Sequence, residues 1–239
     1  MKIAVLSDVH GFSIALDRVL ADIAREPDID QIIVAGDLVE GGPDPVGSLD
    51  TLRASGAILL QGNTDRDLAA SARDSRHFAF AAGLLGDNNL RFLGDLPFSH
   101  RISPPGGTAP DADLLVVHAN PYDLDRPIAP HTSVAQVTDL IGETRAAVIA
   151  FGHIHIAYIR QLDQMTLIDV SAVGNPKDGD LRSKWGLISW SPDARRWSVE
   201  LRFVPYPLEE TIEQINACNY PKASNAIAKL RLASYVNWP

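Results

Sequence analysis

Apolar and polar positions alternate in blocks over the first sixty residues. Lys2 to Ser7 is a short apolar run with a polar end, and it predicts a buried strand. From about Phe12 to Arg25, residues Ile14, Ala15, Val19, Leu20 and Ile23 recur at helical spacing. Gln31 to Ala35 predicts a second strand, closed by Gly36-Asp37. Pro45 to Ser55 reads as a helix, and Ala57 to Leu60 as a third strand before Gln61-Gly62-Asn63. This rhythm of strand, helix, strand, helix, strand predicts a parallel βαβ sheet.

The middle of the chain is less regular. Asp65 to Ala72 and Asn88 to Leu96 predict helices, and Phe98 to Ile102 a strand. Ser103 to Pro110 is rich in Pro and Gly and reads as a surface hairpin loop rather than a domain linker. Strands are expected at Asp113 to His118, Ala146 to Phe151, Ala157 to Leu162 and Thr166 to Val170. Two alternating strands, Trp185 to Trp190 and Trp197 to Val204, flank a turn at Pro192-Asp193. Helices are expected at Leu208 to Cys218 and Pro221 to Leu232. One domain spanning residues 1–239 is expected, with the helices of 208–232 packed on it.

A polar regularity cuts across these strands. Asp8, Asp37, Asn63, His118 and His153 each fall just past the C-terminal end of an apolar strand. Ligand sites of open α/β sheets lie beyond those carboxyl ends, so residues distant in sequence are expected to meet there.

Composition narrows the partners. The 239 residues suffice for a substantial core without staples. The one cysteine, Cys218, excludes an internal disulfide and a thiolate metal cluster, and fits a reducing compartment. No apolar run approaches the ~20 residues that span a bilayer, so no membrane partner and a cytoplasmic location are expected. The net charge is -9, with Lys and Arg scattered and Arg195-Arg196 the nearest thing to a basic cluster. Without a basic stripe, a long nucleic acid is not an expected partner. Small phosphorylated molecules remain acceptable, because bound cations supply local positive charge.

Five fragments carry the chemistry: Asp8-Val9-His10, Gly36-Asp37, Gly62-Asn63-Thr64-Asp65, His118, and Gly152-His153-Ile154-His155. Each alone is weak. A strand-to-turn Gly-Asp or Gly-Asn pair is common, and a lone buried histidine is more often satisfied than a ligand. Together they hold four of the seven histidines, in order, each after a predicted strand. In order and spacing they resemble the calcineurin-like metallophosphoesterase family, whose motifs run D-x-H, G-D, G-N-H-D/E, H and G-H-x-H. The similarity extends from Met1 to roughly Val204, and its closest flavour is the small bacterial phosphodiesterase branch.

That resemblance implies an α/β fold, a four-layer α/β/β/α sandwich of two mixed β-sheets flanked by helices. It implies two divalent metal ions, manganese first, with iron, zinc or nickel as alternatives. One ion would take Asp8, His10, Asp37 and His155; the other Asp37, Asn63, His118 and His153, with Asp37 bridging. Hard oxygen and imidazole donors without thiolate agree with such ions. The implied reaction is hydrolysis of a phosphodiester or phosphomonoester by a metal-bridging hydroxide, with no covalent intermediate. A small nucleotide-like substrate is expected, and a homo-oligomer is possible.

The residue after Asn63 is Thr64, where the commonest family form has histidine, so the leaving-group acid is in question. Asp65 is a candidate to orient a ligand histidine, beside its plainer role as a first-turn helix acid. Asn63, Asn120 and Asn175 are candidate substrate contacts. In the loop Ser171 to Trp185, Gly174-Asn175 would offer backbone donors and an amide, with Lys177 or Arg182 adding charge. His77, His100 and His131 are expected in surface or structural roles. A protein phosphatase of the same fold is the main alternative enzyme, but Leu38-Val39-Glu40-Gly41-Gly42 lacks that branch's aspartate–arginine–glycine text. A nuclease fits poorly with the acidic balance. A non-catalytic interaction scaffold is the alternative from another class, although every ligand position is filled.

Overall fold

The computed structural model describes residues 1–71 and 75–234. The chain runs β1 (Lys2–Leu6), α1 (Ser13–Ile23), β2 (Gln31–Val34), α2 (Pro45–Ala54), β3 (Ile58–Leu59), α3 (Asn63–Ala69), α4 (Arg76–Gly94), β4 (Ser99–Ile102) and β5 (Leu114–Val117). It continues through α5 (Val134–Ile141), β6 (Val148–Phe151), β7 (Tyr158–Gln161), β8 (Thr166–Asp169), β9 (Ser183–Ser191), β10 (Arg196–Val204), α6 (Leu208–Ala217) and α7 (Ala223–Leu232). The strands form two mixed five-stranded sheets, ordered β10-β9-β1-β2-β3 and β4-β5-β6-β8-β7. Strands β1, β2 and β3 are parallel, as are β5, β6 and β8, so their carboxyl ends point one way within each sheet.

Side-chain alternation builds the layers. Successive residues of a strand face opposite sides, so a strand buried on both faces is apolar throughout. In β1, Ile3 and Val5 face the second sheet and meet Ile33, Leu114, Val116, Val148, Ala150 and Ile168 in the inter-sheet core. Their neighbours Ala4 and Leu6 face the other way, into a cluster with Leu16, Val19, Leu49 and Leu52 of α1 and α2. Leu115, Val117, Ile149 and Phe151 pack outward against Val137, Leu140 and Ile141 of α5. The result is the expected α/β/β/α sandwich. Ile215 and Leu230 tie α6 and α7 into the α1–α2 cluster. Among the described residues no helix is long and apolar enough to cross a membrane.

Three departures from the sequence pattern have local causes. Helix α4 starts at Arg76, twelve residues before the expected Asn88: Ser75 caps it by accepting the Phe78 N–H, and Phe78, Ala81 and Leu85 bury one face. Gly86, at φ 71°, breaks that helix inside, and its glycines mask the pattern. Helix α5 had no predicted counterpart, yet Ser133 and Gln136 form a capping box before its apolar face. Helix α3 begins at Asn63 rather than Asp65, and the expected end at Ala72 lies outside the described residues.

Candidate metal centre

The carboxyl ends of β1, β2, β3, β5 and β6 bring Asp8, His10, Asp37, Asn63, His118, His153 and His155 together. Asp8 Oδ1 lies 3.5 Å from His10 Nε2 and 3.3 Å from His155 Nε2. Asp37 divides its oxygens, with Oδ2 3.5 Å from His10 Nε2 and Oδ1 3.6 Å from His118 Nε2. His118 Nε2 is 3.0 Å from Asn63 Oδ1 and 3.1 Å from His153 Nδ1. Asp8, His10 and His155 form one group able to hold an ion, and Asp8, Asp37 and His118 another.

Five of these seven residues adopt positive φ: Asp8 54°, His10 51°, Asp37 55°, His153 79° and His155 59°. Left-handed backbone costs a non-glycine residue about 1–3 kcal/mol and persists only where surrounding structure imposes it. Here cross-strand bonds do so, including Asp8 N–H to Gly36 O at 3.0 Å and His10 N–H to Asp37 O at 2.9 Å. The motif glycines serve close approach. A Cβ at Gly62 would collide with Asp37 Oδ1, and one at Gly152 with Asp8 Oδ2 and Ser7 Oγ.

Backbone carbonyls orient every histidine of the cluster. His118 Nδ1 donates to Ala35 O at 2.8 Å, His155 Nδ1 to Asn175 O at 2.8 Å, and His10 Nδ1 to Glu40 O. His153 uses its other nitrogen, Nε2, on Asp125 O at 2.9 Å. Each ring is thereby held in the tautomer whose free lone pair faces the centre. Lone pair then faces lone pair: His10 Nε2 and His155 Nε2 stand 3.0 Å apart, and Asp8 Oδ1 is buried without a hydrogen-bond partner. Converging ring nitrogens and carboxylate oxygens of this kind fit divalent cations, which take the place of the ring protons.

Charge at the centre is concentrated. Burial depresses His10, but Asp8 and Asp37 more than offset it and carry the imidazole up to about 10. Burial raises Asp8, and His155 and His10 overcome it, holding the carboxyl well below its usual range. His153 is pushed down by burial and by His118.

Several expected contacts are corrected. Asp65 touches no ring nitrogen; its carboxylate accepts backbone N–H groups of Asp37, Leu38 and Gly62 at 2.8, 3.0 and 2.9 Å. Asn120 is buried, its amide spent on Arg126 O at 2.7 Å and Tyr122 N–H at 2.9 Å, so it shapes the turn that carries Asp125 O to His153. Gly174 N–H goes to Asp8 O at 2.9 Å, not toward open space. Arg182 is paired with Asp180 at 2.5 Å. Asn175 and Lys177 do line a cavity beside His10 and His155; His77 lines it too, with its Nδ1 paired to the Tyr220 hydroxyl at 3.2 Å. His100 lies in β4 and His131 is exposed. Thr64 is buried; its N–H donates to Asp37 Oδ1 at 2.9 Å, and its hydroxyl has no partner among the described residues.

Sequence reasoning missed the orienting carbonyls of Ala35, Glu40 and Asp125, because any residue type supplies a carbonyl. It also missed Arg66, whose guanidinium grips Asp125 at 2.8 and 3.1 Å.

A symmetrical bis(5'-nucleosyl)-tetraphosphatase of Acidovorax sp. (strain JS42) is 35% identical over 128 residues, 50% of this chain and 44% of that protein. The chain thus spans under half the length of that relative. An uncharacterized Methanocaldococcus jannaschii protein is 24% identical over 89% of this chain and 91% of its own length. The crystal structure of a metallophosphoesterase from Sphaerobacter thermophilus is 25% identical with a TM-score of 0.77, covering 98% of this chain and all of that one. The family model for calcineurin-like phosphoesterases matches residues 1–157, through the last histidine of the cluster, and the chain belongs to that family.

Proposed function

We propose that the protein is a hydrolase that cleaves a phosphoester or phosphoanhydride bond of a small nucleotide-like substrate with two divalent metal ions. The reading rests on one observation: four histidines, two carboxylates and an asparagine converge with their lone pairs inward, each ring locked by a backbone carbonyl. When bound, the ions supply Lewis acidity to the phosphoryl oxygens and activate the attacking water. Manganese suits the oxygen–imidazole donor set, with iron, zinc or nickel as alternatives.

The chain's own residues set the geometry. Asp37 serves both halves of the centre through its two oxygens, with Oδ1 fixed by the Thr64 N–H. Asn63 turns Oδ1 toward His118 at 3.0 Å, and its Nδ2 amide would serve a phosphoryl oxygen. Asp65 positions Asp37, Leu38 and Gly62 and touches no reacting atom. Thr64 offers no acid near neutral pH, so substrates whose leaving oxygen departs without a proton are favoured. Nucleotide phosphoanhydrides are of that kind, and the similarity to a tetraphosphatase supports the same class.

The test is metal analysis of the purified protein joined to hydrolysis assays with added Mn²⁺ on monoesters, diesters and dinucleoside polyphosphates. Two metal equivalents and turnover on at least one class are expected. Asp37→Asn should lower kcat/KM by about 100-fold or more, a loss of ~2.7 kcal/mol of transition-state stabilisation. Failure to hydrolyse any class with manganese, iron, zinc or nickel overturns the reading.

A further inference from the structure

The chain has five lysines, and three of them, Lys177, Lys222 and Lys229, line one cavity beside His10 and His155. Its volume is about 380 Å³, within the ~300–1,000 Å³ usual for small-molecule sites. The other two lysines have carboxylate partners: Lys2 with Glu26 at 2.7 Å and Lys184 with Asp178 at 2.9 Å. Among the described residues Lys222 and Lys229 have none, and Glu40 is the one carboxylate on the cavity wall.

The lysines come from two directions. Lys177 is tied to the metal-centre wall, its backbone N–H donating to His155 O at 2.9 Å and its Nζ to Asn175 Oδ1; burial first, then Lys229, bring its amine down to about 7, so Lys222 and Lys229 carry most of the charge. Helix α7 forms the opposite wall. Asn225, Ala226, Lys229 and Leu230 recur at i, i+1, i+4 and i+5, which is one helical face. Leu230 anchors that face in the apolar cluster, so the Lys229 stem is set toward the cavity. The charges act on their surroundings: His77 is held below its usual range by burial first, then by Lys222 and Lys229. Like charges gathered in a protein whose net charge is -9 repel one another unless an anion joins them. Lysine ammoniums act as point-charge partners of phosphate.

We infer that this cavity is a second anion subsite, which takes the distal phosphates of a polyphosphate-bearing substrate between α7 and the metal centre. It rests on the proposed phosphoester chemistry for its placement, since the bond to be cleaved would lie at the centre and the remaining phosphates beside it. Lys177, Lys222 and Lys229 all lie beyond residues 1–157, the segment matched to the family, so the preference for chain length belongs to the C-terminal part of this protein.

The test measures binding by titration calorimetry, with the full chain metal-replete and free Mn²⁺ fixed. The probes are inorganic tripolyphosphate and inorganic monophosphate. Tripolyphosphate is expected to bind the parent protein at least about tenfold more tightly, given charge-assisted contacts to two or three lysines. Lys222→Ala with Lys229→Ala should reduce that advantage to about threefold or less. Arg231→Ala, which removes from α7 a charge already paired with Glu209 of α6, should keep it. Lys229→Gln, which retains most of the stem, replaces the double variant if melting shows that one to be unfolded. Equal binding of the two probes by the parent, or a full advantage kept by the lysine variants, overturns the subsite. Absence of turnover in the parent is a separate result, which strikes the hydrolase reading and leaves the binding ratio to be judged by itself.

Discussion

The Asp65 carboxylate holds Asp37 by its backbone: Oδ2 accepts the Asp37 N–H at 2.8 Å and Gly62 N–H at 2.9 Å, while Oδ1 accepts Leu38 N–H at 3.0 Å. Asp37 stands at φ 55°, so its unfavourable backbone is fixed by a side chain 28 residues away. Burial and the Asp37 charge raise the Asp65 carboxyl to about 7. Asp65→Ala should therefore leave three buried N–H groups unpaired, at about 1–3 kcal/mol each. A stability loss of at least ~3 kcal/mol in urea and a 10–100-fold weaker metal affinity, roughly the effect of losing a supporting contact, are expected. Asp65→Asn, which keeps an acceptor, should lose less. Unchanged metal affinity in both variants would refute the positioning role.

Metal removal exposes the proton chemistry of His10. Its imidazole is raised from 6.5 to about 10 by Asp8 and Asp37 against the opposing effect of burial. A raised folded-state value means that protonated His10 stabilises the metal-free protein fully below pH 6.5, and that this contribution is lost as pH climbs through about 10. Since a metal takes the neutral ring, loading near pH 7.5 should release about one proton from His10. Calorimetry of Mn²⁺ binding in buffers of different ionisation enthalpy reads that number directly. His10→Gln should abolish the release as well as weaken binding.

Gly62 tests the close approach behind the Gly-Asn motif. A Cβ there meets the backbone nitrogen and carboxylate of Asp37, neither of which can retreat without disturbing both halves of the centre. Gly62→Ala should fold, at a loss of about 1–3 kcal/mol from overpacking, and lose at least one metal equivalent. Metal content by mass spectrometry, beside a melting curve, separates the two effects. Retention of both ions would show that the loop relaxes.

Thr64 gives a kinetic signature. With no acid at this place, hydrolysis rates across an aryl phosphate series should fall steeply as the leaving-group pKa rises. Thr64→His should flatten that dependence and raise the rate for the poorest leaving groups by about 10²-fold, the low end of general-acid effects. A flat series for the parent protein would mean that another group, with His77 on the cavity wall the first to examine, protonates the leaving oxygen.

Much of this protein is legible one residue at a time. The double-sided burial of β1, β2, β5 and β6 appears as unbroken apolar text, because each strand lies between two apolar layers. The seven candidate ligands are visible as well, since carboxylate, amide and imidazole are side-chain identities and five of the seven close predicted strands, with His10 and His155 two residues beyond Asp8 and His153. Helix α5 was legible in principle from its Ser133–Gln136 box, but only eight residues carry it.

The tertiary structure alone decided how those side chains are aimed. The carbonyls of Ala35, Glu40, Asn175 and Asp125 fix four tautomers, and a carbonyl has no sequence signature. Asp65 reads in sequence as a helix-start acid; the fold adds Asp37 and Leu38 to its local partner Gly62. Lys222 and Lys229 read as ordinary charges near the ends of a helix, and become walls of a cavity only because Leu230 docks α7 beside His10 and His155. Composition and periodicity are local properties of a chain, whereas the aim of a lone pair and the gathering of like charges depend on which distant backbone lies against it.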